Sequence, residues 1–227
     1  KFTAPADNLK LIQFFFQKIT SLNGSPEVGE WNKVLNETPF LLTDTNTLRE
    51  PTCLYFPEEQ PSLPMEIPMD LLHTEVYESG VKEVPALKNW LQYIGVAPTT
   101  PLEIIRRGIW SMIEAEKIPY ERIIPVTRFI FQHQNTLEED DRAKLSKKMP
   151  ILLQNSTSQL LPAEKCYLSD RYDPILPIEQ YLHESIFVSY DYVEKEADKA
   201  DWKRFWKRLK VREEIGFDFR EDTYDLS

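Results

Sequence analysis

Apolar positions recur along this chain at helical and strand periods, and one succession of them is met twice. Leu9, Ile12, Phe16 and Ile19 fall at i, i+3, i+7 and i+10, the stripe of an amphipathic helix. Asn23-Gly24-Ser25-Pro26 stops it, because glycine and proline punctuate regular structure. A short helix around Trp31, Val34 and Leu35 follows. Pro39 ends it by pushing Thr38 out of helical geometry. Phe40 to Thr43 reads as a strand and Asp44-Thr45-Asn46 as a turn, since Asp and Asn side chains bond nearby backbone. Leu48 to Phe56 reads as the returning strand, interrupted by Pro51, which has no amide hydrogen for a ladder. Pro57, Pro61, Pro64 and Pro68 make the next stretch stiff and extended. A helix from Ala86 to Ile94 then ends at Gly95, which tolerates a left-handed cap.

Thr100-Pro101-Leu102-Glu103 is a helix start: a capping hydroxyl, a proline in the first turn and a glutamate three residues on. Leu102, Ile105, Ile109, Met112 and Ile113 line one face of a helix over 101–116, expected to pack on both its neighbours. Beyond it, Ile123, Phe129, Ile130 and Leu137 open a second series. A hairpin follows, from Ile151–Gln154 through the polar turn Asn155-Ser156-Thr157-Ser158 to Gln159–Leu168. A helix over Asp201–Val211 closes the series.

The two series correspond. Thr38-Pro39-Phe40-Leu41-Leu42 returns as Met149-Pro150-Ile151-Leu152-Leu153, about 111 residues later. Pro51 returns as Pro162, Tyr55 as Tyr167, and Leu72-His73 as Leu182-His183. Leu87, Trp90, Leu91, Ile94 and Val96 return as Trp202, Phe205, Trp206, Leu209 and Val211. Order is kept while spacing drifts, which is how a repeated scaffold unit behaves when its loops change. The fold class this implies is α+β and mainly helical, in two similar units, each helices plus a β-hairpin, joined by a helix. The boundaries are 1–100 for the first unit, 101–118 for the linker helix, 119–217 for the second unit and 218–227 for an acidic, frayed tail.

Composition narrows the chemistry. With 41% hydrophobic and 28% charged residues the chain folds rather than staying disordered. A net charge of -10 disfavours broad nucleic-acid binding. No apolar run reaches the length of a membrane helix, and no signal peptide opens the chain. The start at Lys1 suggests a segment of a larger cytoplasmic protein, with no membrane partner. Cys53 and Cys166 sit at similar places in the two series and are expected as half-buried thiols.

No catalytic, metal or cofactor motif emerges. His73 and His183 lack a matched nucleophile or carboxylate pair and read as packed histidines. Two Cys and three His without a Cys-x-x-Cys supply no zinc site. Glu138-Glu139-Asp140-Asp141 lacks the ligand alternation of a calcium loop and reads as a helix start. Six glycines form no phosphate loop. Arg106-Arg107 and Lys147-Lys148 read as surface pairs.

The sharpest charge feature is the run from Lys203 to Arg212. Trp202, Phe205, Trp206 and Leu209 share one face, while Lys203, Arg204, Lys207 and Arg208 fall on the other, followed by Lys210 and Arg212. Such a helix can bind phosphates or an acidic partner, or simply present a solvated face. Glu194, Glu196, Asp198 and Asp201 just upstream can neutralise it. The first series has Lys88, Asn89 and Gln92 there, so the basicity belongs to one series only.

Residues 38–57, TPFLLTDTNTLREPTCLYFP, and 149–170, MPILLQNSTSQLLPAEKCYLSD, together with FVSYDYV at 187–193 and the Trp-rich helix ending in RLKV, carry a resemblance. They resemble the region downstream of the GHKL-type ATPase domain in large sacsin-like proteins, over most of residues 30–215. The Asn-bearing helix and glycine-rich lid of that ATPase domain are missing from this sequence, so the resemblance carries over no catalytic residue and no cofactor. It implies a non-catalytic scaffold or interaction module whose partners are other domains of the same protein or a protein partner. The alternative it implies is a nucleic-acid-contacting module of a bacterial defence protein, using the helix 203–212.

Overall fold

Pro5 opens the first helix, α1 (Pro5–Ser21), because its fixed φ and missing amide hydrogen suit a first turn. In the computed structural model, described for residues 4–22, 25–59, 61–154, 159–181 and 186–214, the chain divides into two units, 1–109 and 110–227. It is α+β and mainly helical. No helix among the described residues is long and apolar enough to cross a membrane.

In the first unit, Ile12 and Ile19 of α1 are buried, with Leu9 and Phe16 packed against the same core. α2 (Glu27–Asn36) buries Leu35. The hairpin pairs β1 (Leu41–Leu42) with β2 (Leu48–Arg49), Leu42 opposite Leu48. Asn46 takes the left-handed conformation in its turn, as turn chemistry allows. Pro51 starts a 3-10 turn, Pro51–Cys53, so the returning strand breaks there. β3 (Leu54–Tyr55) then runs parallel to β4 (Asp70–Leu71). Bridges Thr43–Leu72 and Tyr55–Ala97 join these pairs, giving the order β2-β1-β4-β3-Ala97.

α3 (Thr74–Val76) continues into a wide π turn, Tyr77–Val81, and α4 (Pro85–Tyr93) follows. A Cβ at Gly80 would lie 2.5 Å from the Leu9 side chain, so any larger residue there would have to displace it. α4 buries Leu87, Trp90 and Leu91. Gly95, at φ 119°, turns the chain so that Ala97 reaches β3. α5 (Pro101–Glu103) runs into a second π segment, Ile104–Ile109. The wider turn buries Ile104 together with Ile105 and Ile109, which a 3.6-residue count does not place on one face.

The second unit begins inside the expected linker, at α6 (Trp110–Glu114). The helix expected over 101–116 is therefore shared out, residues 101–109 to one unit and the rest to the other. α7 (Ile123–Gln132) buries Ile123, Val126, Phe129 and Ile130. α8 (Glu139–Lys148) starts on a capping box, Glu138 against Asp141, which is what the acidic cluster does. β5 (Pro150–Leu152) pairs antiparallel with β6 (Leu160–Pro162). A 3-10 turn, Ala163–Lys165, leads to β7 (Tyr167–Leu168), parallel to β8 (Phe187–Val188). Bridges Leu153–Val188 and Tyr167–Arg212 complete the order β6-β5-β8-β7-Arg212. α9 (Lys199–Arg208) closes the unit, and Lys210, at φ 63°, makes the turn that Gly95 makes in the first.

The backbone bonding follows the same pattern in both units and departs from the expected register at three pairs, Cys53 with Cys166, Pro51 with Pro162 and Pro39 with Pro150. Ser189 is bonded as His73 is, and the expected match of Leu72-His73 with Leu182-His183 falls on residues outside the described ones. The Ser189 amide donates to Leu152 O at 3.0 Å as that of His73 donates to Leu42 O at 2.8 Å. Each also accepts from the amide two residues on, His73 Nδ1 from Glu75 and Ser189 Oγ from Asp191, both at 3.2 Å. Leu182 and His183 lie outside the described residues, as do Asn23, Gly24, the turn 155–158 and the tail 215–227. Cys166 takes the place of Leu54, since both carbonyls bond the final strand segment, from Arg212 and Ala97 respectively. Cys53 is exposed and Cys166 buried, rather than both half-buried. Pro51 begins its 3-10 turn whereas Pro162 precedes the next one, so the two prolines are one place apart.

Candidate functional site

The basic run lies on α9 and the turn after it. Residues three and four apart share a helix face, and that rule holds on the apolar side. Trp202, Phe205 and Trp206 are buried, and Leu209 beyond the helix is fully so. Trp202 stacks on Phe131 at 3.9 Å between centroids, and Tyr192 meets Trp206 edge-on at 5.0 Å. The Tyr192 hydroxyl accepts from the Leu152 amide at 2.7 Å, fixing the aromatic cluster to β5. Burial pushes the Tyr192 hydroxyl pKa far up.

The polar side differs from a free cationic face. Lys203 and Lys207 converge on Glu213, each with Nζ 2.7 Å from a carboxylate oxygen. Glu213 is 8% exposed. Lys203 also donates to the Asp173 carbonyl and is only half-exposed. Arg204 pairs with Asp201 on the same helix. Arg208 donates to Gln134 Oε1 at 3.3 Å. Arg212 donates to the Tyr167 hydroxyl at 3.2 Å and lies over its ring. Of the acids expected to neutralise the run, Asp201 does so; Glu196 pairs with Lys199 and Glu194 with Arg128.

Burial alone would raise the Glu213 pKa, but hydrogen bonds from Lys203 and Lys207 outweigh it and hold the carboxyl below its ordinary value. The same balance holds for Glu58 in the first unit, where burial is overcome by Lys88 and Tyr77. Groups with depressed pKa values stabilise the fold above their unfolded pKa and lose that contribution as pH falls through the folded one. Thermal melts are therefore expected to hold steady from pH 7 to about 5, then drop below the ordinary glutamate pKa of about 4.3. A melting temperature unchanged down to pH 3 would contradict both ion pairs.

Sequence reasoning missed Glu213. No helical spacing points to it, because it lies past the left-handed turn at Lys210 that folds the chain back on α9. It also placed Arg107 on the surface. Arg107 instead donates to Thr52 O at 3.1 Å and Gly95 O at 2.9 Å, and lies over the Tyr55 ring. Lys148 is exposed, as expected, and lies 3.3 Å from Glu114 and over the Trp110 ring.

Elsewhere, a groove of about 420 Å³ is lined by Met112, Ile118, Ile123, Leu160 and Leu161, with Glu116 and Lys148 at its polar side. His133 packs on Phe129, and burial lowers its pKa. Burial pushes the Cys166 thiol up to about 12, so it stays protonated and inert. Among the described residues no three His, Cys, Asp or Glu side chains form a group that could hold a metal ion. Comparison of the chain with protein-family models, curated proteins and solved structures finds no match.

Proposed function

We propose that this chain is a tandem pair of equivalent units acting as a non-catalytic scaffold or interaction module within a larger cytoplasmic multidomain protein. The observation that carries this reading is the shared bonding order, β2-β1-β4-β3-Ala97 in one unit and β6-β5-β8-β7-Arg212 in the other. Architecture kept in both copies while the polar residues around it differ is how a scaffold diverges. The sacsin-like resemblance points the same way, with nucleotide chemistry assigned to a separate domain and partners drawn from other domains or other proteins.

The internal pairing of Lys203 and Lys207 removes two of the six cations on which nucleic-acid binding would rest. Arg204 and Arg208 are the exposed cations of α9 that Glu213 does not hold, and they are the ones left for phosphate. The purified chain is expected to release no phosphate from ATP. Duplex DNA and RNA are expected to bind it no better than they bind an Arg204→Glu/Arg208→Glu variant at 50 and 200 mM salt. Steady phosphate release abolished by a point change within the chain would overturn the non-catalytic reading. Tight binding that the double variant loses, steeply salt-dependent, would make the chain a nucleic-acid module instead.

A further inference from the structure

Lys210 sits where the backbone favours glycine. Its φ is 63°, and the Val211 amide after it donates to Trp206 O to close α9. The first unit makes the same closure, from the Val96 amide to Leu91 O, with Gly95 at that point. A residue with a Cβ carries a strain in the left-handed region that glycine avoids. Strain of this kind clusters at functional positions, and Lys210 lines a crevice of about 430 Å³.

The crevice is bounded by Glu164, Lys165, Lys210 and Arg212. Three cations against one acid leave it two positive charges, in a chain whose net charge is -10. Among the described residues no ion pair joins Lys165, Lys210 or Arg212 to a carboxylate, whereas Lys203 and Lys207 both have Glu213. The Arg212 guanidinium lies over the Tyr167 ring at 5.6 Å and donates to its hydroxyl at 3.2 Å. That contact holds the planar group while its other N–H donors stay unused, and a planar fork of donors matches phosphate oxygens. The Arg212 backbone is itself paired, its amide donating to Cys166 O and its carbonyl accepting from Leu168. A carboxylate would balance half the charge of the crevice. A phosphate monoester, at about -1.5 to -2 at pH 7, balances nearly all of it. A phosphodiester of a nucleic-acid backbone brings a single charge.

We propose that this crevice binds a phosphate monoester, held by Lys165, Lys210 and the guanidinium of Arg212.

The test is acetylation of lysines on the full chain, followed residue by residue by mass spectrometry, with exposed Lys144 as reference. Inorganic phosphate at about 10 mM is expected to slow Lys165 and Lys210 about tenfold and leave Lys144 unchanged, as a Kd of about 1 mM gives. Dimethyl phosphate, a monoanion, is expected to protect much less, and sodium chloride at equal ionic strength not at all. Lys165→Gln is expected to weaken the phosphate protection of Lys210 about tenfold, the worth of one charge-assisted hydrogen bond. Lys210→Gly separates strain from binding. It is expected to raise the melting temperature by about 2–4 °C, because the left-handed strain is relieved, and to weaken protection of Lys165 about tenfold. A phosphoserine peptide protecting at a concentration at least about tenfold lower than phosphate would identify a protein-borne source, and equal potency a free one; in both cases the phosphate group is the ligand. Unprotected lysines in phosphate, equal protection by chloride, or a Lys210→Gly chain with undiminished affinity would overturn the proposal.

Discussion

Trp206→Ala is expected to destabilise the protein by about 3–5 kcal/mol, the range for large aromatics removed from cores. Trp206 is fully buried, at the centre of a cluster with Tyr192, Trp202 and Phe205. Alanine in its place leaves a cavity bounded by rigid rings and by the short strands behind them, which have little freedom to collapse. Leu91 holds the same place in the first unit, its carbonyl bonded by the Val96 amide as that of Trp206 is by Val211. Leu91→Ala should cost about 2–5 kcal/mol, whereas Tyr93→Ala, at a position 73% exposed, should stay within about 0.5 kcal/mol. Denaturant melts of the three variants check this. A Trp206→Ala denaturant midpoint indistinguishable from that of wild type would mean that the aromatic cluster is not the core of its unit.

Much of the fold is legible in the sequence where burial follows one local period. Leu87, Trp90, Leu91, Ile94 and Val96 are all buried, as are Trp202, Phe205, Trp206, Leu209 and Val211. What escaped has physical reasons. α8 buries only Leu145 and Ser146, so its pattern carries no apolar stripe to detect. Asn8 looks like a surface position, yet it is fully buried. Its side chain donates to Phe40 O at 2.7 Å and accepts from the Leu42 amide at 3.2 Å, a service to β1 that only the fold reveals.

The slip in matching the two series has a similar origin. Prolines draw the eye, but hydrogen-bond register sets equivalence. Leu42 faces Leu48 across a span of six positions, and Leu152 faces Leu160 across eight. The longer second loop shifts everything after it relative to everything before, so Pro39 and Pro51 both fall one place out of step with Pro150 and Pro162. Of the candidate site, the sequence shows the basic side of α9 and its apolar opposite. It conceals that the basic side is occupied, because Glu213 reaches Lys203 and Lys207 through a backbone reversal rather than a helical repeat.

That occupancy makes a charge reversal on α9 a test of stability rather than of binding alone. Lys203→Glu/Lys207→Glu is expected to destabilise the protein by about 2–4 kcal/mol at pH 7. Removing the partners of a buried charge costs about 3–5 kcal/mol, and the exposure of Lys207, whose side chain is 51% accessible, lowers that somewhat. The variant leaves Glu213, at 8% exposure, without its cations and beside two new carboxylates. Its pKa should then move above the ordinary value, since burial is no longer opposed. The sign of the pH dependence follows. In the wild type the Glu213 contribution is present above about pH 4.3 and lost on acidification; in the variant, acid neutralises a costly group and relieves the strain. The two melting curves should therefore approach each other as pH falls from 7 to 4. Arg204→Glu/Arg208→Glu, at the exposed cations of the same helix, should shift stability by less than about 1 kcal/mol. Parallel melts of the two double variants between pH 4 and 7 decide the matter. Equal and small effects would mean that Glu213 does not organise this face. A large loss confined to the Lys203 and Lys207 pair would show that these two cations hold the second unit together rather than facing a partner.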